Sequence, residues 1–240
     1  MIRKTALALL LAASGVSAHA ALSAGDIAFT SFNADEDGWS IVALANIAAN
    51  TTIYFRDDEW SGSAFNTGEG LHTWNSGATS IAAGSVIRFS NIDQASRSVS
   101  FGSLSSSGDT GLNATSETIY AYLGSNINTP TTFLAGISTE GTANLATAGL
   151  SNGNTAVVLT NSADFGQYTG PRSGESSFAA YRSSVNTTGN WSIAVGGDQA
   201  AQVPNAVAFA VTAVPEPKNY AMLLAGLGLM GFIARRRNSR

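Results

Sequence analysis

The 240-residue chain has no cysteine, two histidines and five prolines, and only 12% of its residues are charged. Without cysteine there is no disulfide framework, no thiolate metal site, no iron–sulfur ligation and no cysteine nucleophile. Basic charge is scarce as well. Residues 21–214 hold five Arg, no Lys and fifteen acids, a net −10. Such a segment repels phosphate backbones, and no basic patch interleaved with aromatics offsets the repulsion, so nucleic acid is excluded as a partner. His19 stands close to the N-terminus, which leaves His72 as the one imidazole of the remaining chain.

What is present is unevenly placed. Residues 1–20 carry +2 from Arg3 and Lys4, and residues 215–240 carry +4, five bases against Glu216. Arg3-Lys4, the apolar run Thr5 to Ala13 and the small residues up to Ala18-His19-Ala20 have the three-part order of a secretory signal peptide. Cleavage is expected after Ala20, with Ala18 and Ala20 as the small residues of the cleavage site. Export without disulfides is physically reasonable, because a domain of about 195 residues buries enough core by itself.

At the other end, Val214-Pro215-Glu216-Pro217 precedes an apolar run from Tyr220 to Ala234 and then Arg235-Arg236-Arg237. Two prolines break regular structure and leave an extended, accessible segment. The run of 15 residues is about 22 Å long as a helix, shorter than the bilayer core of about 30 Å. A transmembrane helix over 219–234 is therefore expected to be a weak anchor, with Arg235, Arg236 and Arg237 as its cytoplasmic stop. This combination resembles the PEP-CTERM sorting signal of Gram-negative bacteria. The resemblance implies recognition at Pro215, Glu216 and Pro217 by an exosortase, a membrane-embedded protease. It further implies a membrane-tethered precursor and delivery to the cell surface or the extracellular polysaccharide matrix.

Between these ends the apolar residues come in short runs separated by Gly, Asn, Ser and Thr. In Asp26 to Phe32, Ile27 and Phe29 share one face, the period-2 pattern of a strand. Further strands are expected over Ser40–Ile47, Thr52–Arg56, Ser85–Ser90, Glu117–Leu123, Thr132–Ile137, Thr155–Thr160, Trp191–Val195 and Ala206–Thr212. No window of a dozen residues carries a 3.6 period. The expected fold class is all-β, a single β-sandwich domain over 21–213. Within it, Ile47 to Phe55 recurs as Ile81 to Phe89, with Asn50 and Gly84 at equivalent places. Both residue types tolerate left-handed backbone, so the echo predicts one turn-into-strand device used twice.

The opening of this domain, Gly25 to Phe29, Phe32 to Asp35 and Ile53 to Trp60, followed by Phe65, Glu69-Gly70 and Thr73-Trp74, resembles bacterial domains related to the lamin tail domain. The resemblance covers residues 22–90. It implies an immunoglobulin-like sandwich used for adhesion or interaction, and brings no catalytic residues.

Four groups of residues in the domain bear on chemistry or binding. His72 has no G-x-S-x-G elbow to serve, so nucleophilic catalysis is not expected. Asp57, Asp58, Glu59 and Glu69 include the carboxylates that a glycoside hydrolase would need, but Asp57 and Asp58 point to opposite faces of a strand end. Asn33, Asp35 and Asp37, ahead of Gly38, supply oxygens at alternate positions like the front half of a calcium loop, and Asp57 and Asp58 would complete a Ca²⁺ site if the two loops met. The four Trp and the five Tyr of the domain, Tyr54, Tyr120, Tyr122, Tyr168 and Tyr181, offer a lectin-like stacking face, or else cross-strand packing. The expectation is a non-enzymatic surface or matrix protein without an obligatory cofactor. The alternatives are a secreted glycan-binding module or a carboxylate-dependent glycoside hydrolase acting on matrix sugars.

Overall fold

Runs rich in Ile, Val, Phe and Tyr prefer extended backbone because their branched and ring side chains pack well on a pleated surface. A computed structural model describes residues 21–212, together with 226 and 227. The predicted leader with Ala18 and Ala20, the motif Pro215-Glu216-Pro217 and the Arg235 to Arg237 cluster lie outside these residues, as does nearly all of the helix expected over 219–234. No helix among the described residues is long and apolar enough to cross a membrane.

The strands are β1 (Ile27–Asn33), β2 (Gly38–Ala43), β3 (Thr52–Arg56), β4 (Leu71–Asn75), β5 (Val86–Ser90), β6 (Ser98–Val99) and β7 (Ser103–Ser107). After them come β8 (Thr118–Asn126), β9 (Thr129–Ser138), β10 (Ala156–Val158), β11 (Ala163–Tyr168), β12 (Ser173–Glu175), β13 (Trp191–Val195) and β14 (Ala210–Val211). Two helices of five residues each, α1 (Ala143–Thr147) and α2 (Tyr181–Val185), are too short to have shown a period in the sequence.

Two six-stranded sheets result, in the orders β13-β11-β1-β2-β5-β6 and β10-β9-β8-β3-β4-β7. The first is antiparallel throughout, and the second is antiparallel except for β9–β10. Their inner faces meet in an aromatic core. Phe55 of the second sheet lies 5.2 Å from Trp39 and 5.0 Å from Phe89 of the first, ring centre to ring centre. Trp74 meets Phe89 edge-on at 5.8 Å. The molecule is thus an all-β sandwich.

Aromatics from outside the main ladders extend the packing. Tyr181 of α2 and Phe209 of the C-terminal arm pack edge to face at 5.0 Å, and Tyr168 of β11 stacks on Phe209. On the other side, Trp60 and Phe65, both in the 57–70 loop, pack with Phe133 over the buried Tyr120 and Tyr122. β1 and β2 are buried along their whole length, with polar Thr30, Ser31, Asn33 and Ser40 enclosed beside the apolar positions.

The echo is a structural repeat. Asn50 (φ 58°) and Gly84 (φ 90°) both take left-handed backbone immediately before β3 and β5. Ile47 and Ile81 exchange two hydrogen bonds of 2.9 Å, so the two copies pair with each other and then feed opposite sheets. Strands β4, β6, β7, β11 and β12 have no counterpart among the predicted runs. In β4 the alternation Leu-His-Thr-Trp-Asn hides a buried face made of His72 and Trp74. Strand β7, Ser103-Leu104-Ser105-Ser106-Ser107, is held at the sheet edge by its ladder to β4. The expected strand over 206–212 shrinks to Ala210–Val211, because Phe209 is drawn inward and its N–H donates to Gly84 O.

Candidate functional site

In the second sheet β3 lies between β8 and β4, antiparallel to both. The exit of β3 and the entries of β4 and β8 therefore fall at one end of the sheet. Asp57 follows β3, Glu69 precedes β4 and Glu117 precedes β8. Each offers a carboxylate oxygen, and the three oxygens lie within 4.8 Å of one another. Asp57 and Glu117 are buried, whereas Glu69 is exposed.

The loop around them is tightly pinned. Gly70 N donates to Asp57 Oδ1 at 2.6 Å, Glu69 N donates to Asp58 Oδ1 at 3.2 Å, and Asn113 N donates to Glu117 Oε2 at 2.8 Å. Gly70 is required by space. A Cβ there would lie 2.8 Å from His72 Nε2, 3.1 Å from Asp57 Oδ2 and 3.1 Å from the Asp109 carbonyl. His72 is 1% exposed, and Ser106 Oγ lies 2.8 Å from its Nδ1. Its Nε2 has no hydrogen-bond partner.

Burial dominates the electrostatics, since a charged carboxylate is costly away from water. It pushes Glu117 up to about 9. Burial, followed by the charge of Glu69, pushes Asp57 up to about 7. Glu69 also rises to about 7, through partial burial and then the neighbouring Glu59, Asp58, Glu140 and Asp109. His72 is pushed down to about 3 by burial and then by Arg97, so its imidazole is neutral at physiological pH. No ion pair among the described residues involves Asp57, Glu69 or Glu117; the nearest base in sequence, Arg56, is bound to Asp58.

An open cleft of about 420 Å³ leads up to this cluster, lined by Asp58, Glu59, Phe65, Asn66, Thr67 and Glu69. Of the four carboxylates considered for hydrolysis, Asp58, Glu59 and Glu69 line this cleft and Asp57 does not. Asp57 and Asp58 diverge as expected, Asp57 toward Gly70 and Asp58 toward Arg56.

The predicted calcium set is distributed differently. Asn33 Oδ1 accepts from the N–H groups of Asp35 and Glu36, and Asp35 Oδ2 accepts from Gln199 N at 2.7 Å. Asp37 Oδ1 accepts from Leu112 N at 2.6 Å. The turn thus fastens its own backbone, the C-terminal arm and the 110–112 loop. Of the predicted set, only Asp57 belongs to the carboxylate cluster. Glu117 and the glycine at 70 went unrecognised in the sequence. Glu117 stood only as the first residue of an expected strand, and nothing local ties it to Glu69, 48 positions earlier.

The chain's destination is written elsewhere, in the Pro-Glu-Pro, apolar run and arginine cluster. Residues 213–237 match the PEP-CTERM protein-sorting motif. The motif marks a secreted protein that passes through a membrane-anchored precursor and is sorted by an exosortase. No curated protein and no solved structure matches the chain.

Proposed function

We propose that this is a surface or extracellular-matrix protein whose β-sandwich serves as a non-catalytic structural or adhesive module once the sorting signal has been processed. The observation that carries the reading is the sorting motif at 213–237, which begins directly after the last described residues of the domain. A non-catalytic role is supported by the burial of His72, Asp57 and Glu117, which keeps them from a substrate's reach. It is also supported by the use of Trp39, Trp74, Tyr120, Tyr122, Tyr168 and Tyr181 as fully buried packing residues. The likeness of residues 22–90 to lamin-tail-related domains, with the immunoglobulin-like sandwich it implies, fits an interaction module. Polysaccharide of the matrix is the partner that this destination suggests.

One observation favours a second reading, a glycan-binding module. Trp60 and Phe133, only partly buried, border Phe65 beside the acidic cleft, and aromatic faces next to carboxylates suit sugar rings. Binding on a glycan array, without turnover and lost in Trp60→Ala, would favour it.

The sorting reading is tested by mass spectrometry of the native protein's C-terminus, recovered from cell-surface and medium fractions. A terminus near Pro217 is expected. Mature protein retaining Arg235 to Arg240 would overturn the reading.

A further inference from the structure

Three carboxylates from two loops, Asp57 and Glu69 at the ends of the 57–70 loop and Glu117 ahead of β8, meet at one end of the second sheet, two of them buried, with no base paired to any of them among the described residues. Carboxylates so placed repel one another, and Glu140, Asp109 and Glu59 add to the negative potential there. A structure that gathers such charges needs something to neutralise them.

A second observation is independent of acidity. The His72 ring is 1% exposed, yet its Nε2 is without a partner. Both that nitrogen and Asp57 Oδ2, the oxygen not engaged by Gly70 N, come within about 3 Å of the point where a Gly70 side chain would begin. Buried polar nitrogens without partners are rare in native proteins, and an ordered water or ion commonly completes them. The imidazole thus faces the cluster with an unused hydrogen-bonding position.

We propose that Asp57, Glu69 and Glu117 bind a calcium ion that ties the exit of β3 to the entries of β4 and β8, with His72 Nε2 hydrogen-bonded to water in the ion's shell. Three carboxylates make a hard, all-oxygen donor set, the chemistry that Ca²⁺ prefers. Oxygens up to 4.8 Å apart suit Ca²⁺, whose bonds of about 2.3–2.6 Å let one ion bridge oxygens up to about 5 Å apart. Mg²⁺, at about 2.0–2.1 Å, would require the loops to contract. The cleft lined by Asp58, Glu59 and Glu69 provides an acidic entry from solvent. This site is separate from the Asn33–Asp37 turn, whose oxygens already accept hydrogen bonds from the chain. It is also independent of the sorting reading, since the domain would bind the ion whether or not the C-terminus is processed.

The test is thermal unfolding of the full chain in detergent, after EDTA treatment and dialysis, with added CaCl₂, MgCl₂ or ZnCl₂. Calcium at about 100 times its dissociation constant should raise Tm by about 5–10 °C, with a smaller rise from magnesium. Glu117→Gln preserves volume and the acceptor for Asn113 N, so it should fold and lose the calcium response. Exposed Glu69→Gln is the second variant and should weaken the response at least tenfold in apparent affinity. Asp35→Asn should leave it intact. Three outcomes would overturn the proposal: no calcium response in the unmodified chain, a response that survives both Glu117→Gln and Glu69→Gln, or a response to zinc alone.

Discussion

Arg56 is 4% exposed and makes three polar contacts, donating to Asp58 Oδ2 at 2.7 Å, to Asn128 Oδ1 at 2.7 Å and to Asn66 O at 2.9 Å. Its guanidinium also lies 4.5 Å from the centre of the Phe65 ring. One of five arginines in the domain thereby fastens both ends of the 57–70 loop and the β8–β9 turn. Removing it strands the Asp58 charge in the interior, which typically costs about 3–5 kcal/mol. Arg56→Ala should lower the unfolding free energy by that amount in urea titration. Arg56→Lys should recover only part of it, since an ammonium cannot serve three divergent acceptors as the planar fork does. A loss under 1 kcal/mol in Arg56→Ala would mean that the loop is held by other contacts. The sequence showed Arg56 and Asp58 two positions apart. That Asn128 would join them, 72 residues on, depended on β8 pairing with β3.

At the scale of elements, the Ile47–Phe55 and Ile81–Phe89 echo is the feature read most directly. Two apolar residues in register, a residue able to take positive φ and a β-branched run are local properties, and local chemistry was enough to place both turns. Their surroundings are not equivalent. Asn50 is exposed, whereas Gly84 is buried, and a Cβ on Gly84 would sit 2.5 Å from both Phe178 Cε1 and Phe209 O. Asn50→Gly should therefore change stability by less than about 1 kcal/mol, because glycine takes this backbone without strain. Gly84→Asn should cost more than about 2 kcal/mol, because the colliding atom Phe209 O is backbone and the arm must shift. Similar denaturation midpoints for the two variants would refute this asymmetry. Strands β4 and β7 escaped the sequence reading for the converse reason. Serines and a histidine carry little strand preference of their own, and only the ladders from β3 through β4 to β7 make them strands.

For the whole molecule, the acidity noted in the sequence becomes a pH dependence with a definite sign. Unfolded, Asp57 and Glu117 would titrate near 3.8 and 4.5; folded, burial raises them to about 7 and about 9. Between these values the folded state holds more protons than the unfolded one. The unfolding free energy contributed by these groups is accordingly full below about pH 4 and falls as pH rises through 7 and 9. In calcium-free buffer the protein should lose stability from about pH 5 to about pH 9, and Glu117→Gln should lose less over the same range. Parallel curves for the two proteins would show that Glu117 is not the source. Added calcium should oppose the loss most strongly at the alkaline end, where the ligands are ionised.

The sequence alone determined the destination and the fold class, because both are written in short contiguous stretches. An export leader is expected from a basic, apolar and small-residue order, the sorting motif from Pro-Glu-Pro with its apolar run and arginines, and an all-β domain from period-2 runs between turn residues. Tertiary structure alone decided which acids act together. Asp57, Glu69 and Glu117 are separated by 12 and 48 positions, and they converge only because an antiparallel sheet returns alternate strand ends to one edge. The Asn33–Asp37 turn had the more suggestive spacing, yet its oxygens fold back onto neighbouring N–H groups. Spacing along the chain measures nearness only within one turn or strand. Beyond that, strand pairing sets the distances.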